Sequence, residues 1–302
     1  MDNTATLAPA PIAPAPPGTL ASFWYAFREN RGATIGLYLV ATIIIIALMA
    51  DILAPYSPFE QYRDAVLAPP VWSTGGSWRF ILGTDDLGRD MVARLLYGAR
   101  VSLLIGLAVM GISMVVGILL GLASVSAGGI VDVVITRVMD LIMAVPSLVL
   151  EILIVAMLGP SLTNTIIVIT IVYMPRYVRL VRASAMAEMS KDYVTAARVI
   201  GVKKLRLMFV TILPNCLAPL IVQAALGVSD AILEAAALGF LGLGAQAPIP
   251  EWGSMLADAR NLIRSNPGVV TMPGLCILVT VVAINLTGDG LRDALDPKMR
   301  RS

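Results

Sequence analysis

The 302-residue sequence contains no histidine and only two cysteines. Without histidine the chain lacks the commonest metal ligand and the usual proton shuttle, so a histidine-based catalytic dyad is excluded. Cys216 and Cys276 lie far apart within apolar runs, so the sequence predicts no disulfide framework. No Gly-x-x-x-x-Gly-Lys-[Ser/Thr] phosphate loop occurs, so the chain does not hold ATP in the usual way. We therefore predict that it is not an enzyme and has no catalytic residue, no metal site and no cofactor of its own.

Charged residues are also scarce. They make up 14% of the sequence against 58% hydrophobic residues, whereas soluble domains carry about a quarter charged residues. A membrane-spanning helix needs roughly 20 predominantly apolar residues. Apolar runs near or above this length occupy residues 32–50, 101–131, 152–175, 207–229 and 267–288, and a sixth run at 131–157 is interrupted by Asp140 and Glu151. Because the runs show no strand-like alternation, the sequence predicts an all-α, polytopic membrane protein with six transmembrane helices.

The positions of Lys and Arg predict the orientation in the membrane, because short cytoplasmic loops carry an excess of both. The loop after the fourth predicted span has many basic residues but only two acidic ones, Glu188 and Asp192. The basic residues are Arg176, Arg179, Arg182, Lys191, Arg198, Lys203, Lys204 and Arg206. This loop is therefore predicted to be cytoplasmic. Six spans then place both termini in the cytoplasm and residues 51–96 and 230–266 outside.

These features divide the chain into five predicted parts. Residues 1–22, rich in Ala and Pro, are a disordered cytoplasmic tail and not a cleaved signal. Residues 23–50 hold a juxtamembrane segment and the first transmembrane helix, and residues 51–96 form a periplasmic segment. Residues 97–297 are a core of five transmembrane helices that includes the basic loop at 186–214, and residues 298–302 are a cytoplasmic tail.

The basic loop at 186–214 carries the signals of two short helices separated by a glycine. Ser190 is a suitable N-cap, Asp192 is an anion in the first turn, and Gly201 suits the left-handed position that ends a helix. These signals predict a helix over 191–200. A second, amphipathic helix ending before Pro214 is predicted by apolar residues at helical spacing, which are Leu205, Met208, Phe209 and Ile212. Residue chemistry alone leaves open a docking surface for a partner or a solvated juxtamembrane loop.

The same stretch resembles the coupling loop of ATP-binding-cassette (ABC) importer permeases, whose pattern is Glu-Ala-Ala, three residues, Gly, nine residues, Ile, one residue, Leu-Pro. The matching residues are Ala196, Ala197, Gly201, Leu213 and Pro214. Thr195 and Thr211 stand where the family has Glu and Ile, so the resemblance implies the docking role of the loop but no salt bridge from that glutamate. The residues implied in coupling to an ATPase are Glu188, Lys191, Asp192, Tyr193, Ala196, Ala197, Arg198, Gly201 and Lys203.

Two other segments are similar to the dipeptide, oligopeptide and nickel branch of that family, and within it to the C-type permeases of dipeptide transporters. One is Leu-Gly-Thr-Asp-Asp-Leu-Gly-Arg-Asp at 82–90, and the other is Gly-Asp-Gly-Leu-Arg-Asp-Ala-Leu-Asp-Pro at 288–297. The likeness covers residues 23–297. It implies a type I ABC importer permease fold with cytoplasmic coupling helices, in a multi-pass protein of the bacterial inner (plasma) membrane.

The resemblance also implies a set of partners. These are a homologous B-type permease, two ABC ATPase subunits, a periplasmic or lipid-anchored peptide-binding protein and membrane lipid, with no nucleic acid. ATP and Mg belong to the ATPase subunits, since this chain has no phosphate loop. The implied function is a path for dipeptides or short oligopeptides into the cytoplasm, opened by alternating access.

The acidic residues at 85–90 have a second interpretation as a calcium loop. The Asp-x-Asp-x-Asp-Gly order of an EF-hand is missing, however, so calcium is not favoured. We predict instead that the aspartates of this segment, together with Arg89 and Arg94, fix the outer segment at 51–96 onto the helix starting near Tyr97.

Polar residues inside predicted spans are candidates for the translocation path, because a charge in hydrocarbon is costly unless it faces a cavity or a partner. They are Glu151, Asp140, Gln223 and Asn285. Three roles are open for Glu151: contact with the amino terminus of a peptide, pairing with the partner permease, or a position near the outer interface. Interhelical hydrogen bonding is the default interpretation of the other three.

Other functions stay open on the sequence. A proton-coupled secondary transporter would work alone, but such folds usually show two comparable halves, and no internal repeat is visible. A passive channel would not need a docking loop. Within ABC permeases, a nickel chelate or a haem precursor is an alternative solute to a peptide.

Overall fold

The computed structural model of the chain describes residues 19–295, with side-chain surroundings from residue 23 onward. This part is nearly all helical, as predicted, with no β-strand and one isolated bridge between Thr84 and Asp90. The α-helices are α1 (Thr19–Glu29), α2 (Arg31–Leu48), α3 (Ala50–Leu53), α4 (Met91–Ala127), α5 (Gly129–Met143), α6 (Ser147–Leu158), α7 (Leu162–Met189), α8 (Asp192–Val199), α9 (Lys204–Arg206), α10 (Leu213–Phe240), α11 (Trp252–Ala259) and α12 (Pro267–Leu295). A π-helical turn at Leu207–Ile212 joins α9 to α10, and a 3-10 turn at Arg260–Leu262 follows α11.

The two predicted tails fall almost wholly outside the described residues, at 1–18 and 298–302. Residues 19–22 were predicted to be disordered but belong to the first turns of α1. This helix is ordered by packing, because the buried Phe27 contacts Ala33 at the start of α2 and Ala294 near the end of α12.

Within residues 19–295, four helical segments are long and apolar enough to cross a membrane, namely Arg31–Leu48, Met91–Ala127, Lys204–Phe240 and Pro267–Leu295. α5 and α6 together would make a fifth, although they are bent by 93°. α7 has 28 residues but does not qualify, since its second half carries Arg176, Arg179 and Arg182. Length and composition therefore do not confirm the predicted number of six spans.

Two predicted spans also have the wrong limits. The run 152–175 crosses the break between α6 and α7, where Gly159 adopts a φ of +86°. The run 131–157 is interrupted before α6 by Pro146, which disfavours helical backbone at the residue before it. A glycine or a proline barely changes the mean hydropathy of a long run, so the apolar pattern located these helices without showing their breaks.

α4 and α7 form the central helix pair. A Cβ atom added at Gly117 would lie 2.3 Å from Tyr177 Cβ, and one added at Gly121 would lie 2.7 Å from Val181 Cβ. These glycines therefore allow a close approach of the two backbones, as small residues do between membrane helices. α10 packs against both helices and against α12, which in turn packs against α2.

The charges of the outer segment pair as predicted. The Asp85 carboxylate lies 2.6 Å from Arg89 Nε and 3.3 Å from Arg94 Nε, and all three side chains are buried. Asp90 caps α4 by accepting a hydrogen bond from Ala93 N at 2.8 Å. The segment is thereby fixed to the start of α4, which begins at Met91 and not near Tyr97 as predicted.

A second buried carboxylate ties α11 to α4. Glu251 caps α11 by accepting hydrogen bonds of 2.8 Å from Gly253 N and Ser254 N, and Ser102 Oγ of α4 donates to it at 3.3 Å. Burial raises the pKa of the Glu251 carboxyl, against the effect of these donors. The next residue, Trp252, donates from Nε1 to Leu95 O of α4 at 3.1 Å. Two consecutive residues at the start of α11 are therefore hydrogen-bonded to α4.

Candidate functional site

The predicted helix at 191–200 is present as α8, but its N-terminus differs from the prediction. Ser190 is the last residue of the preceding turn and donates from Oγ to Ala187 O at 2.8 Å. Lys191 occupies the N-cap position without a side-chain cap. The serine was a plausible cap by residue type, yet the α7 carbonyl takes its hydroxyl.

Gly201 ends α8 as predicted. Its φ is +81°, and nothing lies within 4 Å of the position of a Cβ atom. Glycine is therefore favoured here by backbone conformation and not by lack of space. The chain then turns back, with Val202 N donating to Ala197 O at 3.1 Å.

The second predicted helix of the loop differs in register. Met208 and Ile212 are buried, but Leu205 and Phe209 are exposed and Leu207 is buried instead. The cause is the π-helical turn, whose wider winding moves side chains off the 3.6-residue face. The helix also does not end before Pro214, because α9, the π-helical turn and α10 form one continuous helical segment through this residue.

The loop carries an exposed apolar patch, which we call the coupling surface and define as Val199, Ile200 and Leu205. These side chains are 82%, 79% and 72% exposed. On the opposite face of α8, Val194 is buried in the main core, and Ala197 packs against it. One face of α8 is therefore held by the chain itself, and the end of the helix presents apolar side chains that nothing in the described residues covers. Contiguous exposed apolar side chains are typical of protein–protein contact sites.

Polar contacts orient α8 against α7 and α10. Lys191 Nζ lies 2.6 Å from Glu188 Oε1, and the Tyr193 hydroxyl donates to the same carboxylate. Asn215 Nδ2 of α10 donates to the Tyr193 hydroxyl at 3.2 Å. The bond to Glu188 raises the pKa of Tyr193 to about 12, while Lys191 and Tyr193 hold the pKa of Glu188 below its usual value. Glu188 and Tyr193 were among the predicted coupling residues. Asn215 was not, because its contact with Tyr193 joins residues far apart in the chain.

The remaining coupling residues surround this core. Asp192 lies in the first turn of α8 and Arg198 in the last, where each complements the helix dipole. Arg198 Nη2 also lies 3.0 Å from Met189 Sδ. Ala196 and Lys203 are exposed, as is Thr195 at the position of the family's glutamate. The nine predicted coupling residues thus lie at the end of α7, on α8 and in the turns that flank α8.

The four predicted path residues do not lie together. Asp140 on α5 forms an ion pair with Arg179 on α7. Asn285 on α12 accepts a hydrogen bond from Ser229 Oγ on α10 at 2.6 Å. Both side chains join helices within the chain.

Gln223 lies in a groove of about 670 Å³. The groove is lined by Leu180 of α7, by Asn215, Ala218, Pro219, Val222, Gln223 and Leu226 of α10, and by Arg292 and Leu295 of α12. In the sequence, Arg292 stood out only as part of the family segment at 288–297, so its place in the groove was not predicted. The groove gives α10 an open polar face toward the end of α12.

The same face of α10 continues past residue 229, the predicted end of this span. The predicted start of an outer segment at residue 230 is therefore wrong. α10 extends to Phe240 and carries Asp230 and Glu234, one and two turns beyond Leu226. Asp230 Oδ2 lies 3.4 Å from Arg176 Nη1, and Glu234 Oε1 accepts from Ser147 Oγ at 3.1 Å. The predicted span ended before Asp230, its first charged residue. The spacing of residues 223, 226, 230 and 234 nevertheless indicates one helix face.

Comparison with known proteins identifies relatives along the whole chain. Residues 113–301 match the family model described as "Binding-protein-dependent transport system inner membrane component", and residues 19–70 match the N-terminal TM domain of oligopeptide transport permease C. The chain is 55% identical to the di/tripeptide transport system permease protein DppC of Pseudomonas aeruginosa (strain UCBPP-PA14), covering 100% of this chain and 99% of the relative. It is 53% identical to the dipeptide transport system permease protein DppC of Escherichia coli (strain K12), covering 99% and 98%.

A more distant relative and a solved structure agree with these matches. The peptide transport system permease protein SapC of Escherichia coli O6:H1 is 40% identical, covering 93% of this chain and 95% of the relative. Among solved structures, the inward-facing MetNI methionine ABC transporter matches with a TM-score of 0.55 at 18% identity, covering 67% of this chain and 96% of that chain. At this identity the structural match shows the fold alone, which is that of an ABC permease.

Proposed function

Because the chain belongs to the family of binding-protein-dependent transport system inner membrane components, we propose that it is the C-type permease subunit of a bacterial importer for dipeptides or short oligopeptides. A homologous B-type permease completes the path, and two separate ABC ATPase subunits bind Mg-ATP and drive it. A periplasmic or lipid-anchored binding protein delivers the peptide. The observation that carries this proposal is the 55% identity over the whole chain to a di/tripeptide permease.

In this proposal the ATPase subunit seats against the coupling surface on the cytoplasmic side, while residues 51–96 face outward. The apolar exposure of Ile200 and Leu205 supports it, since burial of such side chains favours association. The basic residues of the loop fit the cytoplasmic side of the membrane. The chain itself supplies no group for nucleotide chemistry and acts by moving.

The connection from the loop to the path is direct. α9, the π-helical turn and α10 form one uninterrupted helical segment, Lys204–Phe240, which begins beside the coupling surface and carries the groove. α8 is held to the start of α10 by the contact between Tyr193 and Asn215. A displacement of the coupling surface is therefore transmitted along α10, and the groove opens or closes with it.

Transport by the reconstituted complex tests the proposal. Proteoliposomes holding both permeases and the ATPase subunits, with the binding protein outside, are expected to accumulate a labelled dipeptide only when Mg-ATP is supplied to the ATPase side. Omission of ATP or of the binding protein is the control and should abolish accumulation. Accumulation driven by a proton gradient in vesicles holding this chain alone would contradict the proposal.

A further inference from the structure

A buried carboxylate without a hydrogen-bond donor lies between α6 and α10. Glu151 is 0% exposed, and among residues 23–295 neither of its carboxyl oxygens has a hydrogen-bond partner. An ionised carboxylate in a membrane interior is costly unless a cation or several donors face it. The described part of the chain therefore leaves this carboxylate without a donor or a paired cation.

The groups around Glu151 are mainly acidic. Glu234 of α10 faces α6, because its Oε1 accepts a hydrogen bond from Ser147 Oγ, one turn before Glu151, at 3.1 Å. Asp230 lies one turn before Glu234 on α10. Among the described residues, one cation forms an ion pair with this group. It is Arg176 of α7, which pairs with Asp230 at 3.4 Å and stacks on Tyr173 with its guanidinium carbon 4.6 Å from the ring centroid. Arg176 is thus held by other partners.

The charges of this group do not balance. Glu151, Glu234 and Asp230 bring three negative charges when ionised, and Arg176 brings one positive charge, which leaves a deficit of two positive charges. A cationic ligand group reduces this deficit.

Three members of the group are accessible in the chain, whereas Glu151 itself is covered. The side chains of Arg176 and Asp230 are 44% and 47% exposed, and Glu234 is partly exposed. Asp230 and Glu234 share the α10 face with Gln223 and Leu226, which line the 670 Å³ groove. A solute moving along this face meets the carboxylates and the groove in succession.

We propose that Glu151 and Glu234 form a transient site for the ammonium group at the amino terminus of the transported peptide. This inference rests on the proposed function. A primary ammonium has three N–H donors and no acceptor, which suits carboxylate oxygens that lack donors, and such charge-assisted hydrogen bonds are strong. Arg176 and Tyr173 position the group by keeping Asp230 paired, so that the ligand meets Glu151 and Glu234.

The test compares two solutes in the reconstituted complex. One is a dipeptide, and the other is the same molecule with a hydroxyl in place of the terminal amine, each supplied at a concentration that saturates the binding protein. The wild-type complex is expected to transport the amine about tenfold faster, the effect of roughly one charge-assisted hydrogen bond. Glu151→Gln and Glu234→Gln should each reduce this ratio to about twofold or less, and Glu151→Asp should restore part of it. Glu29→Gln, an exposed residue of α1, is the matched control and should keep the ratio.

The outcomes separate this inference from the proposed function. Loss of both rates in equal proportion in Glu151→Gln and Glu234→Gln would assign the pair to structure or to the partner permease and overturn the inference. An unchanged ratio in both variants would also overturn it, while leaving the permease function intact. If Glu151→Gln does not assemble, the ratio in Glu234→Gln decides. Absence of ATP-dependent uptake of either solute by the wild-type complex would instead contradict the proposed function.

Discussion

The charged residues of two regions are placed in opposite ways. These regions are residues 51–96, the predicted outer segment, and the basic loop at 186–214, the predicted inner loop. In the outer segment, Asp85 is buried between Arg89 and Arg94 and fixes the segment to α4. Only single atoms of this cluster, Asp90 Oδ1 and Arg94 Nη1, have no partner among the described residues. The segment is thus stabilised almost entirely by groups of its own chain.

In the inner loop, by contrast, the basic side chains at its centre are not buried against the rest of the chain. Arg198, Lys203, Lys204 and Arg206 are exposed, and Val199, Ile200 and Leu205 lie beside them in the coupling surface. Exposed apolar side chains of this kind are typical of protein–protein contact sites, which is why we propose that an ATPase subunit covers them. Substitutions in the outer segment should therefore reduce stability, whereas those in the inner loop should reduce coupling and leave the fold intact.

The largest effect is expected from Asp85→Ala, which removes the shared partner of Arg89 and Arg94. Two buried guanidinium groups would then lose their main acceptor, and breaking a buried pair costs about 3–5 kcal/mol in the free energy of unfolding. Denaturant or thermal unfolding of the chain in lipid nanodiscs measures this change. The matched control is Asp64→Ala, which breaks the exposed pair with Arg79 and should alter stability little. Equal losses in both variants would show that burial does not distinguish the two pairs.

The next effect separates coupling from stability. Ile200→Asp places a charge in the centre of the coupling surface, where docking would have to desolvate it, so ATP-dependent dipeptide uptake should fall at least tenfold. The unfolding transition should shift by less than about 0.5 kcal/mol, because the side chain is exposed in the isolated chain. Ile263→Asp is the control. Ile263 is 60% exposed and belongs to residues 230–266, which are predicted to lie mostly outside, so this variant should retain uptake. Retained uptake in Ile200→Asp would remove this residue from the docking contact.

Local signals in the sequence predicted the parts of both regions that depend on nearby residues. Gly201 was correctly placed at a positive φ, since the end of a short helix and the choice of glycine are decided within a few residues. The role of the aspartates at 85–90, together with Arg89 and Arg94, in fixing this segment to the next helix was predicted for the same reason. The docking role of the loop came from the family pattern and stays a proposal, because residue chemistry alone left a solvated loop equally possible.

Long-range and register effects escaped the sequence analysis. The π-helical turn buries Leu207 instead of Leu205, and no feature of the apolar spacing indicates a wider turn. Glu151 stood out among apolar neighbours, but its relation to Glu234 joins residues far apart in the chain and depends on the packing of α6 against α10. Asp230 and Glu234 could have been found from their spacing with Gln223, had the apolar run not been ended at the first charge.

The smallest effect concerns the hydrogen bonds that orient α8. Tyr193→Phe removes the donor to Glu188 and the acceptor of Asn215, so the protection factors of α8 backbone amides in hydrogen–deuterium exchange should fall by no more than about fivefold, or about 1 kcal/mol. The pKa of Glu188 is lowered in the folded chain, so its contribution is complete above the ordinary carboxyl value of 4.5 and is lost as the pH falls through the lowered value. Because Tyr193 is one cause of the lowering, the same loss should begin at a higher pH in Tyr193→Phe. Tyr25→Phe, at an exposed tyrosine of α1, is the control and should leave α8 protection and its pH dependence unchanged. Identical pH profiles in wild type and Tyr193→Phe would mean that Lys191 alone sets the state of Glu188 and that α8 is oriented by Val194 in the core.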